Sequence, residues 1–453
     1  SLTNVTFSAN TAEYGGGMYN YYYSSATLTN VTFVANTATY SGGGMYNNDS
    51  SPSLTNVTFS ANTAESGGGM SNCYYSSAML TNVTFSENTA TYDGGGMYNY
   101  YYSSATLTNV TFSANTAESG GGIYIDYNSS ATLTNVNFVA NTAANFGGGM
   151  YNYNSSATLT NVTFSANTAT YSNGGGMYNY DSSATLTNVT FSANTATYNG
   201  GGMYNCYDSS VTLTNVTFSE NTATYSNGGG IYNHDSSATL INVTFSDNTA
   251  SYLGGGMYNY DSSATLTSVT FSANTATYGG GIYIEFNSSA TLTDVTFSEN
   301  TATYGGGMYN YDSSAKLTNV TFSENTAAYS GGGIHIGLYS NSPTLTDVTF
   351  AANTAEQGGG IYNSGDNATL INVTFSENTA EQGGGMYNSG DNATLINVTF
   401  SENTAEQGGG MSNYSNTATL TNAILWGNSP NQIVGEAYVV TYSDIQGGYP
   451  GEG

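Results

Sequence analysis

Ala26-Thr-Leu-Thr-Asn-Val-Thr-Phe-Val-Ala-Asn-Thr-Ala38, followed by Gly42-Gly-Gly-Met-Tyr-Asn47, decides how this chain is read, because it recurs with small changes along almost all of the 453 residues. Its aromatic anchor stands at Phe7, Phe33, Phe59, Phe85 and Phe112 and continues to Phe375 and Phe400, with Leu425 in the same frame, a step of 25 to 28 residues. A period this short makes the protein a stack of one small unit, about seventeen times over, and leaves no room for an ordinary globular domain.

Within the unit, Leu28, Val31 and Phe33 are apolar, Thr27, Thr29 and Thr32 are polar, and Asn30, Asn36 and the glycines mark bends, which predicts short strands punctuated by turns. No stretch has the i, i+3, i+4 apolar spacing or the helix formers that a helical repeat needs, and each unit has too few leucines for a leucine-rich repeat. The expected fold is therefore all-β, a right-handed parallel β-helix (β-solenoid) of about seventeen coils of 25–28 residues. At about 4.8 Å per coil it would form a rod roughly 80 Å long. Residues 1–411 carry the regular repeat, and 412–453 read as degenerate final coils, a cap or a junction: Trp426 replaces the usual Ser, Pro430 intrudes, and 440–448 begin an irregular coil. Ser1 lies inside a coil, so a processed start or a segment of something longer is expected.

The Asn three residues after each Phe (Asn10, Asn36, Asn62, on to Asn403 and Asn428) predicts an internal ladder in which stacked amides satisfy one another and the turn backbone. The glycine triplet precedes Met or Ile at every step (Met18, Met45, Ile123, Ile231, Met386), the interchange expected of a core site behind a sharp turn.

Phe-x-x-Asn (Phe33 to Asn36) alternating with Gly-Gly-x-Met or Ile (Gly43 to Met45) through residues 1–411 resembles the repeats of chlamydial polymorphic outer-membrane proteins and related bacterial β-helix surface proteins. The third glycine departs from the Gly-Gly-Ala of those families. The resemblance implies a right-handed β-helix exposed at a cell surface, often adhesive.

Composition narrows the partners. Asp and Glu number 29 against a single base, Lys316, a formal charge of −28 that excludes binding to a nucleic-acid backbone and disfavours an anionic membrane. No apolar run is long enough to insert directly into a membrane. Only 7% of residues are charged and 13% are aromatic, which argues against disorder. Cys73 and Cys206 fall five coils apart, roughly 24 Å of rise, beyond the ~7 Å limit for a bridge, so they are expected to be free thiols or intermolecular links.

Enzymes also use this fold, but the chain has no Arg, Lys316 reads as a solvated surface substitution, and four coils separate His234 from His335, so no catalysis is expected. Asp181, Asp208, Asp235 and Asp261 precede Ser-Ser in successive coils, and Glu356, Glu381 and Glu406 precede Gln in three more; Ca²⁺ is the cofactor such stacked carboxylates would suit. The same position holds Asn128, Asn154 or Asn287 elsewhere, so turn capping accounts for it equally. Asn30 and Asn56 begin Asn-Val-Thr sequons and Asn367 and Asn392 begin Asn-Ala-Thr, candidate glycosylation sites, although Ser268, Asp294 and Asp347 occupy the Asn30-type corner in other coils. Tyr151, Tyr178, Tyr204 and Tyr258 follow the core Met, so strand alternation places them outward, as a contact surface for carbohydrate or a neighbouring rod.

The sequence thus predicts a non-catalytic, extracellular structural solenoid at or beyond a microbial cell surface, forming rods or fibres by end-to-end or lateral self-association. The alternative is the shaft of a surface adhesin that binds carbohydrate or a host surface through tyrosine and acidic ladders. The variants at 123–127, 282–286 and 334–339 break the repeat most and are the contact points that reading would use.

Overall fold

A computed structural model describes residues 1–340, 342–415, 417–435 and 438–448, and all regular elements among them are strands. The coil around Phe33 shows the plan. Strands Thr27–Thr29 and Thr32–Val34 lie on one face, Thr37–Ser41 on a second and Met45–Asn48 on a third. Each pairs in parallel with its equivalent one coil on, Leu28 against Leu54, Phe33 against Phe59, Thr37 against Thr63 and Met45 against Met70. The repeat therefore sets the register: identical residues meet because a slip would carry every apolar side chain to the wrong face.

This coil turns at four left-handed bends, one of them Asp49 (φ 52°) in the loop after Met45–Asn48. Asn30 (φ 55°) separates the first two strands, Ala35 (φ 53°) ends the first face, and Gly42 (φ 70°) opens the triplet. Asn adopts this conformation readily and Gly freely, whereas Ala is strained there. The other two glycines answer to space. A Cβ on Gly43 would collide with the carbonyl oxygen of Gly68, and one on Gly44 would lie 2.6 Å from the Gly69 oxygen and 2.7 Å from Phe59 Cδ1. The Phe ring and the carbonyl of the next coil occupy the volume an alanine would need at the third glycine of this chain.

The chain falls into two compact units, Ser1–Tyr225 with Gly230–Ser236, and Ser226–Gly229 with Ser237–Gly453. In the first, Phe rings stack at 4.6–4.9 Å from Phe7 through Phe138 to Phe164, nearly parallel. The expected Asn ladder runs beside them. Asn36 Nδ2 donates to Asn62 Oδ1 (3.0 Å) and to the Phe7 carbonyl (2.9 Å), and Asn62 Oδ1 also accepts from the Asn36 backbone N–H (3.0 Å). Each amide thus uses both donors and accepts twice, which lets a fully buried polar column survive in an apolar core.

The second unit repeats this arrangement from Phe245 to Phe400, but its second face thins to isolated bridges such as Thr354 with Thr379. Past residue 411 the stack continues in altered chemistry: Phe400 pairs with Leu425 and Leu425 with Ile445, and Asn428 extends the ladder by accepting from Asn403 at 2.9 Å. The end of the expected cap, residues 449–453, lies outside the described residues.

A second inner ladder, unforeseen from the sequence, follows the Asn two residues after the core Met: Asn20, Asn47, Asn72 and Asn99 bond in series at 2.8–2.9 Å. Ile125 interrupts it, and Asn99 Nδ2 and Asn152 Oδ1 on either side are buried without partners. Ile284 likewise leaves Asn310 Oδ1 without a donor and Ile336 leaves Asn363 Oδ1 without one, while Asn310 Nδ2 turns to the Ser313 carbonyl and Ser340 Oγ.

Candidate functional site: the tyrosine groove

The tyrosines after the core Met do not form an open surface. Tyr151, Tyr178, Tyr204 and Tyr258, expected to be outward contacts, are only 7%, 6%, 8% and 3% exposed. Alternation does turn them away from the Phe core, but the glycine bend folds the preceding strand back beside them. Phe146, the residue before one triplet, packs on Tyr151 of its own coil (5.9 Å) and on Tyr178 of the next (4.8 Å). Tyr14 and Tyr278 sit likewise against Tyr46 and Tyr309. The rings then stack on one another, Tyr124 on Tyr151 at 4.6 Å and Tyr178 on Tyr204 at 4.9 Å, so the column fills the floor of a groove. Burial pushes the phenols of Tyr151, Tyr178 and Tyr204 well above their usual range.

The exposed tyrosines lie elsewhere. Tyr22, Tyr23, Tyr74, Tyr75 and Tyr102 stand on the loop after the Met strand, with Tyr75 and Tyr102 stacked at 5.5 Å. Tyr40, Tyr92, Tyr171, Tyr198 and Tyr225 form a second exposed column ahead of the glycines. Their spacing was visible in the sequence; their exposure depends on the fold of the bend.

Asp181, Asp208, Asp235 and Asp261 are exposed and have φ of 48–59°, the left-handed turn that Asn154 (φ 48°) occupies in another coil. Asp235 Oδ2 lies 3.8 Å from His234 Nε2. Glu356, Glu381 and Glu406 are also exposed, linked through their backbones at 2.9 Å, Glu381 N–H to the Glu356 carbonyl and Glu406 N–H to that of Glu381. Among the described residues, no three Asp, Glu, His or Cys side chains converge to hold a metal. Asn30 and Asn56 sit at exposed corners (φ 55° and 54°), and Asn56 Nδ2 donates to Asn30 Oδ1 at 3.1 Å in an outer ladder. Asn367 and Asn392 occupy another exposed corner, joined at 3.2 Å.

The walls of the groove carry the unusual chemistry. Cys73 and Cys206 are free and buried, so an intermolecular link through either would first require the fold to open. Cys206 Sγ lies 3.3 Å from the Tyr178 hydroxyl, and burial pushes its thiol up to about 11. Asp93 on one wall and Asp126 on the other replace neutral side chains: Ser66 and Ser119 flank Asp93, and Tyr153 pairs with Asp126. Burial, with the Asp126 charge next, pushes the Asp93 carboxyl up to about 7. Burial pushes Asp126 up to about 6, against the opposing pull of the Tyr127 amide and Tyr98 hydroxyl. In the second unit, His335 replaces a floor tyrosine, stacked on Tyr309 (4.2 Å) and Tyr362 (4.6 Å), with Nδ1 2.8 Å from Ser330 Oγ. Its burial lowers the imidazole to about 3, and it stays neutral.

Parallel coils in register, inner Asn ladders and a Phe stack define a β-solenoid repeat protein. The sequence model of the right-handed β-helix region family matches at residues 74–218, 185–355 and 280–444, and the chain belongs to that family. No curated protein matches it.

Proposed function

We propose that the chain is a non-catalytic structural solenoid, working outside the cell at or beyond a microbial surface and self-associating into rods or fibres. The observation that carries this reading is the evenness of the coils. Phe, Asn, Gly and Met recur at the same depth, and each buried amide of the Phe-side ladder is satisfied by the next coil, an arrangement suited to stiffness rather than to one unique centre. End-to-end association would use the pairing that joins successive coils, and lateral association the exposed tyrosine columns.

A second reading, an adhesin shaft, is favoured by the rings on the loop after the Met strand. Tyr75 and Tyr102 present parallel faces with polar tips, a surface that suits the apolar faces of sugar rings. Electron microscopy and light scattering across a concentration series separate the two. Fibres or laterally joined particles support the structural reading; single particles at every concentration, together with glycan-array binding lost in Tyr75→Ala, would replace it with the adhesin.

A further inference from the structure

Along the groove of the first unit, Asp93 and Asp126 are the wall positions at which a carboxylate interrupts a neutral column, and they fall in adjacent coils. The floor between those walls is Tyr98 and Tyr124, neighbours in register with ring centroids 5.5 Å apart. Tyr98 Oη donates to Asp126 Oδ2 at 3.4 Å. Asp126 is 8% exposed, and its Oδ1 is buried with no hydrogen-bond partner. Both carboxylates bear on the phenols of Tyr98 and Tyr124, and Asp126 bears on Asp93. A buried carboxylate oxygen with nothing to accept from is costly, and a second carboxylate beside it adds repulsion. The chain's single Lys or Arg is Lys316, which belongs to the other unit, so no Lys or Arg of the first unit can neutralise the pair.

We propose that Asp93 and Asp126, together with the phenol oxygen of Tyr98, bind a hard divalent cation of the calcium type. All three donors are oxygens, and Ca²⁺ accepts carboxylates in flexible geometry while water completes its shell. The ion would give Asp126 Oδ1 a partner and tie two successive coils together across the groove. The ridge of Asp181, Asp208, Asp235 and Asp261 lacks this feature, since its carboxylates are exposed to water.

Terbium(III) is the probe, because Tyr98 and Tyr124 would sensitise its emission. The 453-residue chain, its Asp126→Asn and Asp93→Asn variants and an Asp181→Asn control are titrated at neutral pH, with Ca²⁺ as competitor. Wild type and Asp181→Asn are expected to show a tight phase displaced by Ca²⁺, absent in Asp126→Asn and weakened about tenfold or more in Asp93→Asn. Asp126→Asn removes a buried charge without changing volume, so folding is retained, and unfolding temperature gives a second readout: Ca²⁺ should raise it more in wild type than in this variant. Identical terbium curves in wild type and Asp126→Asn, or equal Ca²⁺ shifts, would overturn the site. So would the absence of any tight phase from the wild type, which would leave the pair with a proton alone.

Discussion

The same residue type performs different work at different depths of this coil. Asn141 lies in the inner ladder, where its Oδ1 accepts from Asn115 Nδ2 at 2.9 Å and its Nδ2 donates to the Phe112 carbonyl and to Asn167. Asn135 lies in the outer ladder, exposed, and donates to Asn109 at 3.1 Å. Asn141→Ala strands several buried groups and is expected to cost about 3–5 kcal/mol, whereas Asn135→Ala loses a solvated bond and an easy left-handed turn and should cost about 1 kcal/mol. Urea unfolding of the two variants measures the contrast, and equal losses would mean that the inner ladder is not buried as described. His335 offers a test by pH. Its folded value near 3 lies below the unfolded value of 6.5, so both states are neutral above about pH 6.5 and its contribution is complete there. Between 6.5 and 3 only the unfolded chain takes up the proton, and stability is lost as pH falls, by at most about 4–5 kcal/mol. His335→Tyr restores the residue the floor carries elsewhere; the gap between wild type and variant in unfolding temperature should widen in the variant's favour on acidification, and parallel pH curves would contradict a buried neutral imidazole.

At the scale of the element, the glycine bend is the part with least tolerance. In the triplet before Met150, a Cβ on Gly149 would meet the Gly176 oxygen at 2.7 Å and Phe164 Cδ1 at 2.8 Å. Gly149→Ala is therefore expected to destabilise by about 1–3 kcal/mol through forced displacement of the Phe stack. The Ala bend should behave in the opposite way. Ala193 sits at φ 52° and is exposed, so Ala193→Gly relieves left-handed strain of roughly 1 kcal/mol while giving back part of that as chain entropy. A pair of unfolding curves decides it: the first variant should fall well below wild type and the second should stay level with it or rise. Were Gly149→Ala neutral, the Phe ring could not be packed against that backbone.

For the whole molecule, charge is the dominant global term. A formal −28 with almost no basic side chains repels itself, and that repulsion is long-ranged only in dilute salt. Unfolding temperature should therefore climb as NaCl is raised from a few millimolar to physiological strength, in wild type and Asp126→Asn alike, because screening does not depend on the groove. A flat response would mean that bound counterions already neutralise the exposed acids.

What the sequence determined by itself was the strand class, the coil length, the recurring Phe and the ladder through Asn36. A parallel solenoid places each residue against its own equivalent, so periodicity along the chain becomes contact between coils. What only the tertiary structure decided was depth. Tyr151 and Tyr204 alternate outward like any surface residue, yet the glycine bend lays the neighbouring strand over them and buries them. The second Asn ladder escaped notice because Asn47 reads as a turn residue until its strand is seen paired with Asn20 and Asn72. Asp93 and Asp126 stand 33 positions apart as two unrelated exceptions, more than one coil length in sequence. Their proposed joining into one site depends on adjacent coils, in which Tyr98 pairs with Tyr124 and donates to Asp126 Oδ2.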